Sequence, residues 1–367
     1  MQKNTKLRFG VVAAFAAAAL AIGTAAPAYA DPSGVKTLNG SGSDTTQDVM
    51  GGVASVVTSL GNWDAVPAGS NITVDGVTFN RPIGSTAGIR ALSKSLQGIA
   101  YGNAIAPAIT APILPVGTLE WARASALRSD SGTQLTYIPF ARDAVTIAFN
   151  ASSDFPKDVN LGFAGQPTST FTLRNIYLGT VTSFLDSAGN SITIRPLLPQ
   201  VNSGTRQYWV SVLGTTEPAL TAGTKATDLG NTVQEHDGRF LTTDGDIVPF
   251  SVGQWLAQSN YSTLPTAVTE RRGQAVLGSI DTVKPIIYDG AVTTTNPDFL
   301  PSRLVYNVVE TRALTSNPLV GTDQAIRDAF VGPTSSICAA SVQIKAYGFA
   351  TIGALCGNTT QQRGYVS

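Results

Sequence analysis

The sequence predicts an α/β protein of open sheets divided between two domains. Three observations carry this. Stretches with apolar residues at helical spacing alternate with short β-rich runs. The chain has 367 residues, more than one hydrophobic core usually organises. No stretch has the low complexity of a long tether, so the domains are expected to be joined by crossing strands.

Residues 1–30 read as an export signal rather than as part of the fold. Lys3, Lys6 and Arg8 form a basic start, an Ala-rich apolar run extends from Val11 to about Ile22, and Ala28-Tyr29-Ala30 supplies an A-x-A cleavage site before Asp31. The run is shorter than the ~20 residues a membrane span needs, so no span is expected once the signal is removed. No Cys stands at the cleavage point, which argues against a lipid anchor. The expected location is therefore secreted: extracellular or cell-wall-associated, or periplasmic in a Gram-negative cell. Removing the three basic residues leaves 21 basic against 24 acidic, a net charge of −3. With no basic run, nucleic acid is excluded as a partner, because phosphate backbones need clustered Lys and Arg.

In the first helix Val49, Val53, Val56 and Leu60 share a face, and in the second Ile89, Leu92, Leu96 and Ile99 do. Strand-like runs cover 71–79, 135–140, 144–150, 192–198 and 247–250. Residues 262–266 and 293–301 are rich in turn formers. The two cysteines, Cys338 and Cys356, are expected to pair in an oxidising compartment. Such a bridge would contribute roughly 3 kcal/mol.

Three segments share one design. Gly40-Ser41-Gly42-Ser43-Asp44-Thr45-Thr46 precedes the first helix, Gly84-Ser85-Thr86-Ala87-Gly88 opens the second, and Ser203-Gly204-Thr205-Arg206 precedes a helix carrying Tyr208, Trp209, Val212 and Leu213. Glycine permits close backbone approach, and Ser or Thr can cap the helix. The helix start then offers unpaired N–H groups and the positive end of the dipole, which is an anion site without a Lys. Any one of the three could equally be an ordinary N-cap; the same Ser-Gly-Thr tripeptide at 131–133 runs into a strand instead. Arg206 could add a bidentate contact to a tetrahedral oxyanion, or be a solvated first-turn residue.

Catalysis and metal binding have thinner support. His236, in Glu235-His236-Asp237-Gly238, is the only histidine. A Ser/His/Asp triad is formally possible, but no G-x-S-x-G elbow is present. One imidazole and two paired cysteines make a zinc site unexpected. No cofactor, no metal and no catalytic residue is expected.

The series "GSGSDTT", "RPIGSTAGIRALSKSLQGIAYGNAIAP", "TYIPFARDAVTIAFN", "LRNIYLGTVTSF" and "LPQVNSGTRQYW" resembles the phosphate-specific substrate-binding proteins of ABC importers. The likeness spans most of residues 36–260, and Val233 to Trp255 resembles an actinobacterial branch of secreted relatives. It implies a two-lobe type II periplasmic-binding-protein fold, α/β with two hinge-crossing strands near 137–150 and 247–255. Lobe I would comprise 31–142 plus 247–367, and lobe II 143–246. The resemblance implies inorganic phosphate or a related oxyanion as ligand, an ABC permease as candidate partner, and a monomer. The resemblance puts the ligands near Asp44 and Thr45, on Ser85, and on Ser203, Gly204 and Thr205; Ser43 and Thr86, in the same loops, are expected ligands too. Two positions depart from the family pattern. Ile105 stands where the family has a carboxylate, and Pro199 where it has an Arg. Asn103 or Asp44 could replace the acceptor, and Arg206 the charge. A secreted phosphatase-like hydrolase, or a surface interaction protein that kept the fold and lost transport, are the alternatives.

Overall fold

The computed structural model describes residues 31–67, 69–102, 111–163, 170–290 and 292–367. The expected export signal at 1–30, Asn103 and Ile105 lie outside the described residues. In chain order the elements are β1 (Leu38–Gly42), α1 (Gln47–Ala54), β2 (Leu60–Asn62), β3 (Asn71–Val74), β4 (Val77–Asn80), α2 (Gly84–Gln97), β5 (Trp121–Ala124) and β6 (Leu135–Asn150). Then come β7 (Asp158–Val159), α3 (Leu173–Tyr177), β8 (Ser183–Leu185), β9 (Ser191–Thr193), β10 (Arg195–Pro196), α4 (Gly204–Val212), α5 (Glu217–Thr221), β11 (Asp246–Ser251) and α6 (Val252–Ser259). The last part holds β12 (Ala275–Leu277), β13 (Ser279–Ile280), β14 (Ile286–Asp289), β15 (Val292–Thr295), β16 (Ser302–Glu310), α7 (Thr311–Thr315), α8 (Asp323–Phe330), α9 (Ser336–Ala339), α10 (Ser341–Ala346) and β17 (Gln361–Arg363).

One strand organises the molecule. The runs expected at 135–140 and 144–150 are a single 16-residue strand, β6, about 50 Å long at the usual strand rise. Its first half pairs with β16, from Leu135↔Glu310 to Ala144↔Ser302. Its second half pairs with β11, from Val145↔Ser251 to Phe149↔Ile247, and with β12. The strand order is β10-β11-β6-β16-β5-β1-β2, with β1 parallel to β2 and β5. β6 is buried along nearly its whole length, which is why its sequence reads as apolar runs rather than as alternation. Pro139, which lacks an N–H for the ladder, sits where the register with β16 slips.

Each half has its own core. The first half packs Trp121, Phe330 and Tyr347 on one face and Phe79, Tyr101 and Tyr137 on the other. The second half packs Phe149, Phe155, Tyr177 and Trp209 on one face, and Leu197, Val248 and Phe250 on the other. Ile247, Val252, Ile280 and Phe299 belong to the core of the second half. The segment from 247 onward, expected with the first lobe, therefore contributes to both halves before β16 re-enters the first.

Local differences from expectation have local causes. The first helix ends at Ala54, and Leu60 leaves its helical face to pair with Leu38 in a parallel ladder. The second ends at Gln97, where Gly98 turns left-handed (φ 65°), so Ile99 is outside it. Residues 71–80 form a hairpin rather than one run, because Asp75 and Gly76 both take positive φ in a tight turn. The run at 192–198 breaks into β9 and β10, and β15 occupies the start of the turn-rich stretch at 293–301. Cys338 and Cys356 form the expected disulfide, with Cα atoms 5.9 Å apart. Among the described residues no helix is long and apolar enough to cross a membrane.

Candidate functional site

The three hydroxyl-glycine segments meet where the two halves of β6 join. The first loop is fixed by Arg123 of β5, which is fully buried. Its guanidinium donates to the carbonyls of Gly42 (3.3 Å), Ser43 (2.9 Å) and Trp63 (2.8 Å) and to Asn62 Oδ1 (2.6 Å). Gly42 is needed for two reasons. Its φ is +131°, and a Cβ there would sit 2.6 Å from the Arg123 carbonyl oxygen; Gly88 of α2 is needed in turn, since its Cβ would sit 2.2 Å from the Gly42 Cα. The first loop and the first turn of α2 therefore touch backbone to backbone.

The third segment closes on the other two. Ser203 caps α4, accepting from the Arg206 N–H at 2.9 Å. A Cβ on Gly204 would lie 2.2 Å from Ser125 Oγ and 2.8 Å from Ser85 Oγ, so only glycine fits against them. Ser85 Oγ in turn accepts the Ser125 N–H (3.0 Å). At the centre, Thr45 Oγ1 and Thr205 Oγ1 lie 3.3 Å apart, although 160 positions separate them. Arg303 Nη2 donates to Thr205 Oγ1 (2.9 Å) and reaches Thr45 Oγ1 (3.5 Å). The same nitrogen and Nε donate to Asp143 Oδ2 at 2.9 and 3.2 Å. Asp143 lies on β6 near the end of its first half, and its other oxygen accepts from Ser251 Oγ (2.8 Å) and the Gly253 N–H (3.1 Å).

The floor is acidic. Glu235 and His236 are buried in the loop before β11, and His236 holds a positive φ of 58°. Thr45 Oγ1 lies 3.1 Å from both Glu235 Oε2 and His236 Nε2, and those two atoms are 3.1 Å apart. Burial pushes the Asp44 carboxyl up to about 7; the Glu235 charge adds to this, while His236 and Arg271 oppose it. For Glu235 burial acts upward too, but the hydrogen bond and charge of His236, then Ser203 and Arg303, outweigh it and pull the carboxyl below its ordinary range. Buried polar atoms with no protein partner crowd the same place: Ser43 Oγ, Asp44 Oδ1, Thr46 Oγ1, Glu235 Oε1, His236 Nδ1 and Arg303 Nη1. Such atoms are rare in folded interiors unless a ligand or ordered water meets them.

The expected site residues fall into three groups. Ser43, Asp44, Thr45, Ser203, Gly204 and Thr205 are brought together, with Ser85 behind Gly204. Thr86 turns away, accepting from Arg128 Nη1 (2.7 Å). Arg206 is spent elsewhere: its Nη atoms donate to Pro199 O (2.8 Å), Asp228 (2.8 Å) and Glu217 (2.6 Å), which corrects its expected contact with a ligand. Asp143, Glu235 and Arg303 are additions that sequence reasoning missed. For Asp143 and Arg303 a charge inside an otherwise apolar strand, as in "FARDAVTIAF" and "SRLVYNVV", was the available signal; Glu235, in a loop, carried none. The triad reading fails on geometry. Glu235 and Thr45 both approach His236 Nε2, whereas a triad places nucleophile and acid on opposite ring nitrogens. Asp237 is instead paired with Arg239.

A family model described as a PBP superfamily domain matches residues 27–306. A protein described as a phosphate ABC transporter substrate-binding protein from Clostridium perfringens, with bound phosphate, superposes with a TM-score of 0.50 at 14% identity. The match covers 86% of this chain and 99% of that one. An ABC-type phosphate transport receptor from Vibrio cholerae gives 0.49 at 15% identity, covering 86% and 100%. At 14% identity the likeness to the Clostridium perfringens structure shows the fold alone. No curated relative matches the chain.

Proposed function

The chain belongs to the PBP superfamily and has its type II periplasmic-binding-protein fold, and from that premise we propose that it is a secreted solute-binding protein capturing phosphate or a similar tetrahedral oxyanion. The observation that carries this reading is the meeting of Thr45 and Thr205 at 3.3 Å under the Arg303 guanidinium. Two hydroxyls, a charged fork with a free Nη1, and the uncapped start of α1 supply donors to one buried point. Thr45 precedes α1 and Arg303 lies on β16, beside the first half of β6, while Thr205 opens α4, whose Trp209 packs in the core of the second half, so a ligand would enter when the halves part and be sealed in when they close. The Clostridium perfringens structure named above is described with bound phosphate, which supports the same ligand class here.

Asp44 sets the choice among anions. A buried carboxylate repels a fully ionised oxyanion but accepts a hydrogen bond from one that still bears a proton. Phosphate bears such a proton near neutral pH and sulfate does not, so phosphate is the favoured ligand. Delivery to an ABC permease would be the role outside the cell membrane. A calorimetric titration with phosphate, sulfate and phosphate esters tests the reading. Heat with phosphate and none with sulfate is expected; no heat with any of them sinks it. Unchanged phosphate affinity in Thr205→Val would place the site elsewhere.

A further inference from the structure

The cleft holds more negative charge than an anion site should. Asp143 is matched by Arg303, Ser251 and the Gly253 N–H. Glu235 is matched by Thr45 and His236, with help from Ser203 and the Arg303 charge, but its Oε1 has no hydrogen-bond partner. Asp44 is worse off: it is 2% exposed and Oδ1 meets no donor. An unpaired buried carboxylate takes up a proton or a cation. One oxygen of Asp44, one of Glu235 and one ring nitrogen of His236 all lie within 4.8 Å of one another.

We propose that Asp44, Glu235 and His236 form a binding site for a divalent first-row transition cation of the Zn2+ class. The donor set is one imidazole and two carboxylates, which suits such ions better than Mg2+ or Ca2+, whose ligands are oxygens alone. Three protein donors leave a coordination position open, as in zinc sites that take an external ligand. The ring is held by its own surroundings. Gln258 Nε2 donates to the His236 carbonyl (2.9 Å), and Phe250 packs edge-on against the imidazole at 5.6 Å. The site joins Asp44 to Glu235 and His236 across some 190 positions of sequence and makes no use of the paired cysteines.

The inference goes beyond the oxyanion reading and does not depend on it. The test begins with protein stripped by a chelator and held in phosphate-free buffer. Zn2+ is titrated calorimetrically, and Co2+ is followed by its visible absorption. One site per chain is expected. Asp44→Asn, which keeps the side-chain shape, and His236→Gln should each lower Zn2+ affinity by at least about tenfold and remove the Co2+ bands. Circular dichroism of both variants separates lost ligation from lost folding, and Asp44→Asn alone decides if His236→Gln does not fold. No binding by the wild type, or unchanged binding in the folded variants, overturns the proposal. Phosphate titrated with and without Zn2+ reads the oxyanion function separately. Metal binding without phosphate binding would reject that function and leave this site standing.

Discussion

Arg206 lies in the first turn of α4 and Arg303 reaches the Thr205 hydroxyl beside it, yet their neighbourhoods differ in kind. Arg206 takes partners close in sequence: Pro199, Asp228 and Glu217. It ties the turn before α4 to the segments that follow it. Arg303 takes partners from Thr45, Asp143 and Thr205, which are 98 to 258 positions away, and keeps Nη1 without a partner. A guanidinium whose Nη atoms are used locally builds structure. One that bridges distant segments and keeps an Nη donor without a partner is equipped to close on a ligand, whereas Arg206 has only its Nε left over. Position in sequence beside a Ser-Gly-Thr turn suggested the first; position in space selects the second.

The largest effect should come from Arg303→Gln. It leaves Asp143 buried without its cation, a loss that typically costs about 3–5 kcal/mol of stability. It also removes charged donors from the proposed anion position, so phosphate affinity should fall about 10- to 150-fold. The double variant Asp143→Asn/Arg303→Gln separates the two roles. Its urea midpoint should recover most of the loss while calorimetry still shows weak binding. Recovery of affinity in the double variant would mean that Arg303 serves only as the counter-ion of Asp143.

Arg206→Ala should show the reverse profile. Glu217 and Asp228 are partly exposed, so their loss of a partner is cushioned by water, whereas Pro199 O loses a buried donor. A stability loss of about 1–3 kcal/mol is expected with less than about tenfold change in phosphate affinity. An affinity loss as large as that of Arg303→Gln would erase the distinction. Ser203→Ala should cost less, about 1 kcal/mol, the usual value of an N-cap, since its Oγ satisfies the Arg206 N–H. Thermal or urea unfolding reads that difference directly.

What the sequence made legible was local. Each hydroxyl-glycine loop announces itself within a few residues, because tight turns and helix starts are decided by nearby backbone chemistry. The apolar runs on either side of Asp143 were visible for the same reason, though not that they form one strand. Leu60 shows the limit: it fits the helical period of Val49 and Val53, yet parallel pairing with Leu38 claims it. The Asp75-Gly76 turn, by contrast, carried its own signal inside a run read as continuous. The cleft floor was not legible. Glu235 and His236 meet Thr45 only through folding across some 190 positions, and nothing in their immediate sequence distinguishes a buried charged loop from a solvated one.

The smallest effect is one of pH, and it belongs to the Arg206 side. Burial alone would push Asp228 up, but hydrogen bonds from Arg206 and the Asn231 N–H, with the Arg206 charge, hold it below the usual carboxylate range. A carboxyl depressed in the folded state contributes stability above its unfolded pKa, about 3.9, and loses it as pH falls through the folded value. The stability gap between wild type and Arg206→Ala should therefore be widest near about pH 7 and narrow toward about pH 2.5. Part of the gap should persist in acid, because the bond to the Pro199 carbonyl does not titrate. Urea midpoints of the two proteins across that range measure it. A gap independent of pH would assign the whole role of Arg206 to Pro199 and none to its carboxylate partners.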